Sequence, residues 1–176
     1  LQQLAAVIQD VHPGATLWVS NQTFEKPEND FFFEYLQTEQ PEWLDGVVYG
    51  PWTKMSLREM RERTPRKYPI LHYPDITHNV RCQYPVPDWD RVFAHALNRE
   101  APNPRPRDMH HIARFSQSQT GNFVSYSEGV NDDLNKMVWS MASWDPDKPL
   151  DVVLREYGRV FFSDEEAEAI AQGLFM

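Results

Sequence analysis

The sequence predicts an α/β protein of parallel strands, about half of a (β/α)8 TIM barrel. Three observations predict it. Short, nearly continuous apolar runs recur along the chain, and amphipathic helical patterns alternate with them. There are four such runs, half of what a closed barrel needs, and 176 residues fall short of the ~250 of a full one. No Gly-rich phosphate loop follows any of the runs, which argues against a dinucleotide-binding sheet.

The elements follow in order. Leu4, Val7, Ile8 and Val11 recur at helical spacing, and His12-Pro13-Gly14 stops that helix. Ala15 to Ser20 reads as the first buried strand, and a helix is expected from Asp30 to about Thr38. Gly46 to Gly50 is strand two. Ser56 lies three residues before Glu59, the spacing of a capping box, and opens the next helix. Pro69 to Tyr73 is strand three. The stretch from Pro74 to Arg107 is rich in proline and less regular, with one helical pattern from Asp88 to Leu97. Phe123 to Tyr126 is strand four. Leu134, Met137, Val138 and Met141 then line a helix face, as do Leu150, Val153, Leu154, Tyr157 and Phe161 after Pro149. Ser163 with Glu166 is a second capping box before a last helix toward Leu174.

Composition narrows the function. Hydrophobic residues make up 41% and charged residues 24%, the balance of a globular chain. A net charge of −9 argues against nucleic acid as a partner. No apolar run reaches the ~20 residues of a membrane span, and the first residues do not read as a signal peptide. The one cysteine, Cys82, excludes an internal disulfide and a multi-cysteine zinc site. Leu1 opens the chain inside a helical pattern. We therefore expect a single domain over residues 1–176, cut from a longer chain, with the amino-terminal half of the barrel as its partner.

In parallel β/α folds chemistry gathers beyond the carboxyl ends of the strands. That rule selects Asn21-Gln22-Thr23, Pro51-Trp52, His72-Tyr73-Pro74-Asp75 with His78-Asn79, and Tyr126-Ser127-Glu128-Gly129 with Asn131-Asp132. Amides, carboxylates and aromatics together suit a sugar, whose hydroxyls take hydrogen bonds while its apolar face packs on a ring. Glu128 and Asp75 are the candidate catalytic carboxylates, able to act as acid or base. Asn21, Trp52, His72, Tyr73, His78, Asn79, Tyr126, Asn131 and Asp132 are the candidate sugar ligands. For Asp132 and Asp133 the competing role is to complement the dipole of the helix that follows. Asp75 after proline is also an ordinary turn residue. His72, Asp75 and His78 could suggest a metal, but Pro74 breaks their spacing and no His-x-x-x-His pair is present, so no metal and no cofactor is expected. Asn21-Gln22-Thr23 also matches a glycosylation acceptor, a pattern frequent by chance. No nucleophile elbow occurs.

The order Tyr49-Gly50-Pro51-Trp52, Ile70 to Asp75, Asn122 to Glu128, a helix, then Trp144-Asp145-Pro146 resembles the second half of retaining glycosidase barrels. It is similar to the O-GlcNAcase-like β-N-acetylglucosaminidases of glycoside hydrolase family 84. Those carry Trp-Thr-Gly, Trp-Asp-Asn-Tyr-Pro and Ser-Asn strand ends and a Trp-Asn-Pro turn. The resemblance implies hydrolysis of an O-glycosidic bond, with the substrate's acetamido group as nucleophile. It implies that Tyr73 to Asn79 meet sugar hydroxyls and that Ser127-Glu128 stand where the family has a substrate-binding Asn. The family's catalytic pair follows the fourth barrel strand, which would lie before Leu1. His72-Tyr73 in place of Asp-Asn, and Glu128 in place of Asn, depart from the pattern. A carbohydrate-binding domain without catalysis is the alternative, and a metal-dependent hydrolase a more distant one.

Overall fold

The computed structural model describes residues 1–77, 83–84, 104–127 and 132–175. Over these the protein is mixed α/β, with seven helices and strands that all pair in parallel. It divides into two compact units, Leu1–Pro74 with Gln119–Val124, and Asp75–Ser118 with Ser125–Met176.

The first unit holds α1 (Gln2–Val11), β1 (Trp18–Ser20), α2 (Lys26–Thr38), β2 (Gly46–Tyr49), α3 (Leu57–Arg63) and β3 (Ile70–His72). A strand β5 (Asn122–Phe123) completes a four-stranded sheet of order β1-β2-β3-β5. Register aligns Val19 with Val47 and Val47 with Ile70, so the three share one face of the pleat. They form one core with Phe32, Phe33 and Leu36 of α2 and Leu57 and Met60 of α3. Both helices therefore cover the same side of the sheet. Each fully buried Leu or Phe there contributes roughly 1.5–3 kcal/mol. Ser56 caps α3 as the spacing predicts, accepting from the Glu59 amide at 3.1 Å. α2 begins earlier than Asp30 because Pro27 fits its first turn and Glu25 with Glu28 closes a capping box.

α1 departs from its pattern. Of its residues only Ala5 is buried, and Leu4, Val7 and Val11 are more than half exposed. The inward side is the small, polar one: Gln2, Ala5, Ala6 and Gln9 border a cleft of about 540 Å³ with Tyr35 and Trp43.

The second unit holds β4 (Asp75–Thr77), α4 (Pro106–Gln117), β6 (Tyr126–Ser127), α5 (Asp133–Trp144), α6 (Leu150–Phe161) and α7 (Ala167–Phe175). β4 and β6 pair as a two-stranded sheet, Asp75 with Tyr126 and Thr77 with Ser127. Met109, Ala113, Leu134, Val138, Trp139, Val153 and Leu154 are all buried. The Trp139 indole donates to the Met109 sulfur at 3.2 Å.

Strand four, expected as one run, is thus divided, and strand three is followed by a strand that was not expected, β4. β3 stops at His72 and β4 starts at Asp75, because Pro74 between them has no N–H to offer a ladder. The partner breaks at the same level: β5 ends at Phe123, Val124 is 57% exposed, and β6 resumes at Tyr126. The helix expected over Asp88 to Leu97 lies outside the described residues.

Candidate functional site

The strand ends of the first unit are cross-braced. Asn21, wholly buried, donates its amide to Asn29 Oδ1 at 2.7 Å, and its Oδ1 accepts from the Thr53 hydroxyl at 3.3 Å. The Thr53 hydroxyl in turn accepts the Gly50 N–H at 3.2 Å. Gln22 reaches the same loop, its Oε1 accepting from the Trp52 N–H at 3.3 Å. A β-carbon on Gly50 would overlap the Gln22 amide and push it off the Trp52 N–H. Asn21 thus holds the β1 and β2 loops together, and sequence reasoning missed its partners Asn29 and Thr53. Trp52, carried on that brace, is 43% exposed.

His72 ends β3 at 1% exposure, its ring 5.6 Å from that of Tyr49, which packs on the helix-covered core. Burial in these surroundings pushes its pKa from 6.5 down to about 4, so the imidazole is neutral at physiological pH. The same desolvation raises Tyr49. Tyr73, half-buried, donates its backbone N–H to the Tyr49 carbonyl at 2.7 Å.

The second unit buries two aspartates, Asp75 and Asp132. Asp75 is 2% exposed, and its backbone N–H donates to Gln83 Oε1 at 2.8 Å. The ladder sets it opposite Tyr126, one residue before Ser127. The Ser127 hydroxyl donates to Asp132 Oδ2 at 2.6 Å, and the Asn135 amide to Asp132 Oδ1 at 2.7 Å. Asn135 Oδ1 then accepts the Arg105 N–H at 3.0 Å, while the Arg105 guanidinium donates to the Tyr84 carbonyl. Asp132 and Asn135 are both 1% exposed. Although it precedes α5, Asp132 makes no side-chain capping bond. Asp133 next to it accepts from the Tyr157 hydroxyl at 2.6 Å; burial, then that carboxylate, pushes Tyr157 up to about 12.

So the structure brings Asp75, Tyr126 and Asp132 into one unit, and sets Asn21, Trp52, His72 and Tyr73 on strand ends of the other. His78, Asn79, Glu128 and Asn131 lie outside the described residues. Among the described residues no three His, Cys, Asp or Glu side chains gather as a metal site would require. No helix among them is long and apolar enough to cross a membrane. Asn135 and Arg105 were not singled out from sequence, though Ser127 was; the Asp-x-x-Asn spacing of Asp132 and Asn135, one helical turn, was the available signal.

No protein-family model, curated protein or solved structure matches this chain.

Proposed function

We propose that this chain is the carboxyl-terminal half of a (β/α)8 glycosidase barrel and takes part in hydrolysing an O-glycosidic bond. A β-N-acetylhexosaminide, with its own acetamido group as nucleophile, is the substrate we favour. The observation that carries this reading is the pair of buried aspartates in the second unit: Asp75, which opens β4, and Asp132, which accepts from Ser127 at the end of β6. Buried carboxylates are what glycoside hydrolysis draws on for its acid and base. Glu128 directly follows Ser127 in sequence and remains the first candidate acid. The barrel half is supported by the strand order, which adds each new parallel strand to the same edge, and by α2 and α3 covering one face. A doubly wound sheet reverses direction and carries helices on both faces.

The second reading is a carbohydrate-binding domain without catalysis. The exposed Trp52 ring favours it, since such a ring can stack on a sugar without any acid nearby.

The test is hydrolysis of a panel of aryl glycosides, N-acetylglucosaminide included, by the complete parent chain that contains this half and by its Glu128→Gln and Asp75→Asn variants. General acid–base groups contribute about 10²- to 10⁴-fold, so turnover should fall at least about a hundredfold in one of them. Turnover unchanged in both would remove these carboxylates from the chemistry. No turnover, with sugar binding that Trp52→Ala abolishes, would establish the second reading.

A further inference from the structure

A helix that only covered this side of the sheet would turn its apolar stripe inward, and α1 does not. Leu4, Val7 and Val11 are exposed, while Ala5 and Ala6 stand on the side that borders Tyr35 and Trp43. Side chains this small leave the cleft of about 540 Å³ unfilled. That volume falls within the roughly 300–1,000 Å³ of small-molecule sites.

The wall opposite α1 is held in place. Gln40 takes a left-handed backbone, with φ of 42°, and its carbonyl accepts from the Lys67 ammonium at 2.7 Å. The Pro41 carbonyl accepts from the Tyr68 hydroxyl at 3.0 Å. Trp43, two residues on, and Tyr35 of α2 both pack against the core. Two aromatic rings are thus fixed before a ligand arrives, which lowers the ordering cost of binding.

The polar groups of the cleft select the ligand. Among the described residues the side chains of Gln2, Glu39 and Trp43 make no hydrogen bond or ion pair, and with the Tyr35 hydroxyl they offer both donors and acceptors. The second acid, Glu42, is paired with Lys67 at 2.8 Å, and the Gln9 amide is spent on the Ala15 carbonyl. One uncompensated carboxylate remains, too little charge to select a cation. Mixed donors and acceptors around aromatic rings match a pyranose, which carries hydroxyls at its edge and C–H groups on its faces.

We propose that this cleft is an accessory carbohydrate site, which takes a short run of neutral pyranose units between Tyr35, Trp43 and the inward side of α1. It rests on the carbohydrate reading above and adds a second place of contact. Pro41 and Trp43 precede β2, so the cleft lies toward the amino ends of the strands, away from the carboxyl ends that lead to Asn21 and Trp52.

The probe is the N-acetylglucosamine trimer, added to the complete parent chain. Amide hydrogen exchange should slow about threefold or more in peptides covering residues 2–9 and 35–43, with α7 unchanged as the internal reference. Ala6→Phe fills the cleft from an exposed position and removes no contact, so it keeps the fold and should abolish that protection. Trp43→Ala removes a stacking ring and should weaken the trimer about tenfold by calorimetry. Trp52→Ala should leave the protection in place.

Protection that survives in Ala6→Phe overturns the cleft as the site, and so does its absence from the wild type. Protection by choline in place of the trimer, lost in Ala6→Phe, overturns the sugar in favour of an alkylammonium group. Protection without hydrolysis of any glycoside ends the hydrolase reading and leaves the cleft standing on the carbohydrate-binding one. Hydrolysis without protection ends the cleft and leaves the hydrolase reading.

Discussion

Trp18 lies over Gly46. The two are register partners on neighbouring parallel strands, and a β-carbon at 46 would overlap the six-membered ring of the indole. Glycine is thus required here for close approach and not for an unusual backbone angle. Gly46→Ala must displace the ring from a sheet whose opposite face is already packed. Overpacking of this kind costs typically 1–3 kcal/mol. Urea denaturation should show the midpoint falling by a matching amount, and Trp18→Leu should relieve part of the cost. Equal stability of Gly46→Ala and wild type would mean that the indole moves freely.

The Asn21 brace makes a second prediction. Its side chain is wholly buried, and its removal leaves Asn29 Oδ1 without its donor and the Thr53 hydroxyl without its acceptor. Leaving such groups unmade costs about 1–3 kcal/mol. Asn21→Ala should lower the melting temperature clearly, whereas Gln22→Ala, which loses one long bond at the surface, should lower it much less. The order of the two effects is the readout, and a reversed order would sink the argument.

His72 sets a pH dependence whose sign follows from burial alone. Unfolded, the imidazole titrates near 6.5; folded, near 4. Between those values the unfolded chain holds a proton that the folded one does not. The contribution of His72 to stability is therefore complete above pH 6.5 and is lost as pH falls through 4. The gap corresponds to roughly 3 kcal/mol in full, about 2 of it gone by pH 5. Denaturation of wild type and His72→Gln at pH 7.5 and pH 5 isolates the effect from the carboxylates, which both proteins share. The loss between the two pH values should be smaller in the variant by about that amount, and identical losses would show the folded imidazole titrating normally.

These residues also show what a single sequence can reveal. The first unit was legible because its signals are local. Val47 and Ile70 stand in short apolar runs, and Ser56 caps α3 at the spacing that announces it. α4 was not foreseen, since only Pro106, Met109, Ala113 and Ser116 are buried along a helix crowded with Arg and His. The apolar stripe of α1 was legible but misleading: Leu4, Val7 and Val11 mark a face, and the pattern cannot say whether anything covers it. At the site, Asp75 and Asp132 were marked by following strands. Asn135 was not, because its role depends on Arg105, 30 residues away. Contacts at that separation leave no periodicity to read.

Two glycines in neighbouring helices carry the last prediction, and it turns on what stands beside each. Alanine is favoured over glycine inside a helix by about 1 kcal/mol, and that gain should be the same in α6 and α7. At Gly173 of α7 an added β-carbon meets nothing within 4 Å. Gly173→Ala should therefore stabilise by most of that gain. At Gly158 of α6 the β-carbon would lie 2.9 Å from the Ala167 Cα and 3.0 Å from its carbonyl oxygen. Those atoms are backbone at the start of α7 and cannot rotate aside, so the helices must part. Separation strips contacts from buried Leu154, Ala167 and Ala171, and the net effect should be a loss of about 1–2 kcal/mol despite the better propensity. Urea denaturation of the two variants should shift the midpoint in opposite directions. A gain at both positions would mean that α6 and α7 are spaced to accept a side chain at 158.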